Sequence, residues 1–215
     1  MEIATGIRKK YPVPMIRRLP SYLRIIKSYS YGGIEYISAT DIANELGYDS
    51  VKVRKDLALT GVCGKPRMGY KVDELIRAIR SIVGWDKNSE AVLVGTGCLG
   101  SALLGFTGFS RRGINFAAAF DVDPHKIGMT VHGHTVMPMR GMKNFITERK
   151  IEIAVLTVPA DAAQETVDIL VDAGIKGIWN FSPAILKVPA RVVTQNENLM
   201  SGLAVFMVKM ATESV

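Results

Sequence analysis

The chain has 215 residues, enough for one large domain or two small ones. Its hydrophobic content of 48% excludes a disordered chain, and no uncharged apolar run reaches the ~18 residues that a membrane-spanning helix needs. The net charge is +7, and all of the excess lies in the first two-fifths: residues 1–85 hold 15 Lys and Arg against 8 Asp and Glu, while residues 86–215 hold 12 of each.

Such asymmetry fits a polyanion-binding module joined to a neutral one, or simply a soluble basic surface. Met1 to Tyr11 carry Arg8, Lys9 and Lys10 without an apolar core, so no secretory signal is read there. Cys63 and Cys98 are too few for a disulfide framework, and a cytoplasmic location is expected. Pro12 and Pro14 keep the first dozen residues extended, and a helix is predicted next. Ile16, Leu19, Tyr22, Leu23 and Ile26 recur at helical spacing, with Arg17, Arg18, Arg24 and Lys27 interleaved. Pro20 is assigned to a first turn, so the regular helix should start near Leu19 and end at Gly32-Gly33.

Ser38, followed three residues later by Asp41, reads as a capping box, and Gly47 as the end of that short helix. Asp49 or Ser50 then caps a second helix, Val51 to Leu59. Two short helices across a glycine turn form a helix-turn-helix pattern. Val53 and Leu57 lie on one face of the second helix, with Lys52 and Lys55 opposite and Arg54 on a flank, which suits entry into a major groove. A solvated basic face is the alternative. Gly61 to Val72 reads as a tight hairpin, a wing whose Lys65, Arg67 and Lys71 can reach phosphates or a minor groove. A linking helix, Val72 to Gly84, buries Leu75, Ile76, Ile79 and Val83, and the polar step at Trp85-Asp86-Lys87-Asn88-Ser89 marks the boundary.

Ala91 to Val94 is an apolar run of the buried-strand kind, followed by Gly95-Thr96-Gly97-Cys98-Leu99-Gly100 and a helix from Ser101 to Phe106. That context gives a G-x-G-x-x-G its meaning as a dinucleotide loop: Gly95 for the turn, Gly97 for approach of the pyrophosphate, Gly100 for close packing. A second strand, Ile114 to Phe120, ends at Asp121, 21 residues past Gly100 and near the ~20 expected of the acid that binds the adenosine ribose. A carboxylate there favours NAD over NADP, although Lys126 lies nearby. Ile151 to Val158 is the next strand, ending at Thr157-Val158-Pro159, and a helix runs from Asp161 to Ala173. After Gly174 to Gly177 comes Ile178 to Pro183, where Asn180 and Ser182 could hydrogen-bond a nicotinamide and Phe181 pack on it; an ordinary polar strand end is equally compatible.

A terminal helix carries Leu199, Met200, Leu203, Phe206, Met207 and Met210, and Ala204, Val205 and Val208 make it apolar nearly all round. It must be buried, against a partner subunit or within its own domain. No catalytic constellation is visible. His132 and His134 lack a third metal ligand and read as a surface hairpin, His125 as a helix-start residue, and Cys98 as a small filler in the glycine loop. A dinucleotide site without catalytic machinery, joined to a DNA-binding module, suggests a sensor.

The chain resembles the Rex family of bacterial redox-sensing transcriptional repressors over nearly its whole length. The resemblance rests on Arg18 to Arg24, Val53 to Leu57, Gly95-x-Gly97-x-Leu99-Gly100, Phe120 to Asp123, Leu156 to Pro159, Ala162 to Gln164, and Gly174 to Gly177 with Asn180-Phe181. It implies an α/β fold class: an N-terminal winged helix-turn-helix domain (1–85), a C-terminal Rossmann-like doubly wound parallel sheet (86–196) and a terminal swapped helix (197–215). It implies a homodimer on operator DNA with an inverted repeat, no RNA or membrane partner and no enzymatic activity, with NADH releasing DNA and NAD permitting binding. The cofactor-binding residues would be Gly95 to Gly100, Asp121, Val122, Lys126, Thr157, Val158, Pro159, Asn180, Phe181 and Ser182. Ser50, Lys52, Arg54, Lys55, Lys65, Arg67 and Tyr70 would meet DNA, and Arg24 and Asn198 would couple redox state to binding. The chain departs from the family pattern at Thr60 to Gly64, at the wing residues Lys65-Pro66-Arg67, at Asn198 where the family has Asp, and at Trp179 where it has Leu. Two other classes remain: an NAD-dependent oxidoreductase, and a CoA- or nucleotide-binding module whose basic half docks protein.

Overall fold

The computed structural model describes residues 11–212, the side chain of Leu199 excepted. The stretch before Tyr11, expected to be extended, lies outside the described residues. Two compact units divide the chain, Met1–Lys87 and Asn88–Val215.

In the first unit, α1 (Val13–Tyr31) opens behind Pro12, with Pro14 in the first turn, where a missing N–H costs nothing. Pro20 does not start the helix, as the sequence suggests, but lies inside it. Met15 and Leu19 before the proline, and Tyr22, Leu23 and Ile26 after it, form one buried stripe. Burial of about 1.5–3 kcal/mol per side chain outweighs the ~3 kcal/mol of an internal proline. The strand β1 (Tyr36–Ile37) leads to α2 (Ala39–Leu46), whose capping box is complete: Asp41 N–H donates to Ser38 Oγ at 3.0 Å and Ser38 N–H to Asp41 Oδ2 at 2.9 Å. Gly47, at φ 64°, closes it in the left-handed region that glycine enters without strain. Helix α3 (Ser50–Ala58) starts at Asp49, whose Oδ1 accepts the N–H groups of Val51 and Lys52. The strand β2 (Tyr70–Lys71) pairs antiparallel with β1, and α4 (Val72–Ile82) follows. Val53 and Leu57 of α3 join Leu19, Ile42, Leu75 and Ile79 in one core.

The second unit is a seven-stranded sheet in the order β5-β6-β4-β3-β7-β8-β9. The strands are β3 (Ser89–Val94), β4 (Ile114–Asp121), β5 (Thr130–Val131), β6 (His134–Pro138), β7 (Ile153–Leu156), β8 (Gly177–Asn180) and β9 (Val193–Asn196). All neighbours are parallel except β5, which folds back on β6. Helices α5 (Cys98–Leu104), α6 (Met142–Arg149) and α7 (Ala160–Asp172) wind on its faces, and α8 (Leu199–Thr212) ends the described chain. Alternation sorts the strands' side chains. Val92, Val94, Phe120, Ala154, Leu156 and Ile178 meet Met142, Ile146, Val167 and Leu170 on one side. Leu93, Ala119 and Val155 face Leu104 on the other, where Phe116, Trp179 and Phe181 are only partly buried. Strand β3 has β4 on one side and β7 on the other, so the chain reverses its winding direction there. Ligands of open α/β sheets bind in the crevice at such a switch point, beyond the carboxyl ends of the strands.

Two elements of this sheet are not read from the sequence. Strand β9 is a polar edge, Val193-Thr194-Gln195-Asn196, without alternation, and α6 buries only Met142 and Ile146. His132 and His134 do form the hairpin between β5 and β6.

Candidate functional site

The basic surface of the first unit is built on α3 and the hairpin after it. Lys52, Arg54 and Lys55 are all exposed, and Ser50 sits in the first turn. The hairpin is closed by Lys65 N–H to Gly69 O at 2.7 Å and Gly69 N–H to Lys65 O at 3.0 Å. Arg67 at its tip is exposed and held at φ 63°, a left-handed conformation that an arginine adopts only under constraint. Lys65 is less free than the sequence implies, because its Nζ donates to Tyr36 Oη at 2.6 Å and lies 4.9 Å from that ring's centre. Tyr70 is half-buried against the core.

What sequence reasoning missed is Asp56, buried on the inner side of α3 between Val53 and Leu57. Arg18 of α1 grips it through two bonds, Nε to Oδ2 at 2.7 Å and Nη2 to Oδ1 at 2.9 Å, and Tyr22 Oη donates to Oδ2 at 2.7 Å. Burial, then the bond to Asp56, pushes the Tyr22 phenol up, so it stays a donor. The ion pair thus pins the basic helix to α1. Its spacing was the available signal: an acid at i+3 from Val53 shares the apolar face.

In the second unit the loop after β3 shows why three glycines are needed. At Gly95, φ is 94°, and a side chain would meet the Thr157 backbone at 3.0 Å. At Gly100 a Cβ would stand 1.9 Å from Gly95 O and 2.8 Å from Thr157 Oγ1, so helix and strand can close only without it. At Gly97 a Cβ would meet nothing within 4 Å. The backbone there borders open space, which a ligand can approach to contact distance. Cys98 and Leu99, also exposed, open α5, whose first N–H groups have no acceptor within the helix.

Asp121 is buried beneath this loop. Its Oδ2 accepts from Thr96 N–H at 2.7 Å, Thr96 Oγ1 at 2.6 Å and Lys126 Nζ at 3.2 Å, and its Oδ1 accepts from Asp123 N–H at 3.0 Å. Lys126 also lies 3.8 Å from Asp123, so its charge is neutralised rather than offered to a second phosphate. Val122 is exposed beside it. Thr157 seals β3 to β7, donating through Oγ1 to Gly95 O at 2.6 Å and to Val94 O at 3.0 Å; Val158 lies against Gly95, and Pro159 is exposed.

A cleft of about 480 Å³ opens at the carboxyl ends of β8 and β9, between Asn180 to Ile185 on one wall and Asn196, Glu197, Asn198 and Met200 on the other. Asn180 is buried and its amide is spent within the fold: Nδ2 donates to Asn196 Oδ1 at 2.9 Å, and Oδ1 accepts Ser182 N–H at 2.9 Å. Ser182 is buried and Phe181 half-buried. Asn198 caps α8, its Oδ1 accepting the N–H groups of Met200 and Ser201. Helix α8 is exposed along its length: every residue from Met200 to Thr212 is exposed, Phe206 and Met207 by more than half. Arg24 is exposed on α1. Among the described residues no group of histidine, cysteine and carboxylate side chains could hold a metal, and no helix is long and apolar enough to cross a membrane.

Known proteins match along the same division. Residues 10–58 match a family model described as a putative DNA-binding protein N-terminus, and residues 86–184 one described as a CoA binding domain. The redox-sensing transcriptional repressor Rex of Treponema denticola is 46% identical over 96% of this chain and 99% of its own. That of Bacteroides fragilis is 39% identical over 91% and 89%. Among solved structures, RSP bound to β-NAD⁺ and operator DNA is similar with a TM-score of 0.87 at 35% identity, covering 95% of this chain and 94% of that one. RSP bound to β-NADH is similar with a TM-score of 0.84 at 34% identity, over 95% and 96%.

Proposed function

The chain belongs to the Rex family of redox-sensing transcriptional repressors, and we propose from that membership how its own residues divide the task. Residues 1–85 bind operator DNA, with Lys52, Arg54 and Lys55 of α3 in a major groove and Lys65, Arg67 and Lys71 of the wing on phosphates or a minor groove. Residues 86–196 bind NADH and NAD⁺ across the crevice at β3 and β7, the pyrophosphate against Gly97 and the nicotinamide in the cleft by Asn180 to Ser182. The terminal segment (197–215) joins two copies into a homodimer, which an inverted-repeat operator requires. NADH lowers operator affinity by preferring the arrangement of the dimer that does not fit DNA, and NAD⁺ occupies the same site without that preference. The protein acts in the cytoplasm and catalyses no reaction of its own.

The observation that carries the nucleotide half is Gly97, whose backbone borders open space while its two partner glycines are walled in by the fold. A structural turn alone would not require that combination. Asp121 has a double part: it secures the loop and sets a negative charge where an adenosine ribose lies, which disfavours a 2′-phosphate.

The test is fluorescence anisotropy of a labelled operator duplex at fixed salt, with a scrambled duplex as control, titrated with NADH, NAD⁺, NADPH and coenzyme A. Release by NADH at concentrations where the others leave the complex intact is the expected result. Release by coenzyme A alone would move the ligand to the class for which the matched family model is named. Binding indifferent to duplex sequence would remove the operator role.

A further inference from the structure

We propose that Trp179 and Glu197 form a positioning pair that carries the state of the cleft to the terminal helix; this rests on the reading of that cleft as the nicotinamide end of the NAD(H) site. The connection between cleft and helix is short. Strand β8 ends at Asn180, β9 ends opposite it at Asn196, and α8 starts three residues on, so Glu197 and Asn198 alone separate sheet from helix.

Three bonds tie the two cleft walls together at that point. Asn180 Nδ2 donates to Asn196 Oδ1 at 2.9 Å, Glu197 N–H to Asn180 O at 2.8 Å, and Trp179 Nε1 to Glu197 Oε1 at 2.8 Å. The first two belong to the strand ends and hold the sheet edge. The third spans from a side chain of the sheet to that of the residue next to the helix cap. Trp179 is itself braced: its ring lies 4.9 Å from that of Phe181, on the cleft wall, and 5.4 Å from that of Phe109. A ligand that shifts Phe181 therefore shifts the indole, and the indole N–H pulls on Glu197. Asn198, one residue further, fixes the first turn of α8 through two N–H groups. The path is short: a ring contact, a hydrogen bond to a carboxylate, one peptide unit and a helix cap. A bond of this kind, to an ionised carboxylate, is roughly twice as strong as one between neutral groups.

The experiment uses the full chain and measures two quantities separately. One is the NADH dissociation constant without DNA. The other is the coupling factor, the ratio of operator dissociation constants with saturating NADH and without it. Trp179→Phe keeps an aromatic ring between Phe109 and Phe181 and removes the N–H. It is expected to leave NADH affinity within about twofold and to reduce the coupling factor by about fivefold or more. Glu197→Ala, a substitution at a half-exposed position that spares the aromatic packing, should reduce the coupling factor equally. The double variant should lose no more than either single one, as expected when both act through one bond. A coupling factor unchanged in Trp179→Phe, or single losses that simply add, would overturn the assignment. A wild-type operator complex that NADH does not move would instead refute the sensing reading itself, and this pair's role with it.

Discussion

Asp121 is a single side chain that secures the glycine loop and, in the function proposed above, faces the ribose. Burial pushes its carboxyl up, yet bonds from the Thr96 hydroxyl, the N–H groups of Asp123 and Thr96, and Lys126 outweigh burial and bring its pKa to about 2, below the ordinary 3.8. With the folded value below the unfolded one, the ionised form favours folding. That contribution is complete above the unfolded value and is lost as pH falls towards about 2. Urea unfolding of Asp121→Asn should accordingly show a fall in stability towards low pH that is shallower than the wild type's by about 2 kcal/mol. The glycines give a sharper contrast. Gly97→Ala places a methyl in open space and should keep the thermal midpoint while weakening NADH about tenfold or more, read by intrinsic fluorescence. Gly100→Ala forces a Cβ onto Gly95 O and should cost about 3 kcal/mol of stability before any ligand is added.

Helix α3 presents two jobs on opposite faces. Its outward cations are the face proposed above to meet DNA, and its inward Asp56 locks it to α1. Arg54→Ala and Lys55→Ala should each weaken operator binding and lower the slope of log affinity against log salt by about 1, measured across a salt series. Tyr22→Phe should leave that slope intact and lower the stability of the first unit by about 1–2 kcal/mol, since the buried Asp56 loses one donor. Elements with local signals were legible in the sequence: the capping box at Ser38, the glycine loop after β3, and the hairpin at His132 to His134 each carry their own chemistry. Elements decided by tertiary contact were not. Pro20 sits within α1 because a buried stripe spans it, and β9 exists because β8 offers it an edge. Asp56 reads as one more charge on a charged helix until Arg18 and Tyr22, 38 and 34 residues away, are seen to close on it. The cleft was legible only as its first wall, Asn180 to Ser182; the second comes from β9 and the start of α8.

At the scale of the whole molecule, charge and apolar surface are kept apart along the chain. The +7 lies before residue 86, and α8 exposes Met200, Leu203, Val205, Phe206, Met207 and Val208. A second copy supplies the cover in the reading proposed above, so light scattering should show a dimer. Phe206→Asp should raise its dissociation constant by about tenfold or more, with operator affinity falling in step. The same surface decides how a damaged allele behaves. A subunit with Arg54→Ala and Lys55→Ala keeps α8 intact and still recruits a sound partner. At equal expression, random pairing leaves about a quarter of the dimers with two working DNA-binding units. Such an allele is dominant in a cell carrying both copies. With the dimer joined through α8 as proposed, an allele truncated before Leu199 should recruit no partner and be recessive.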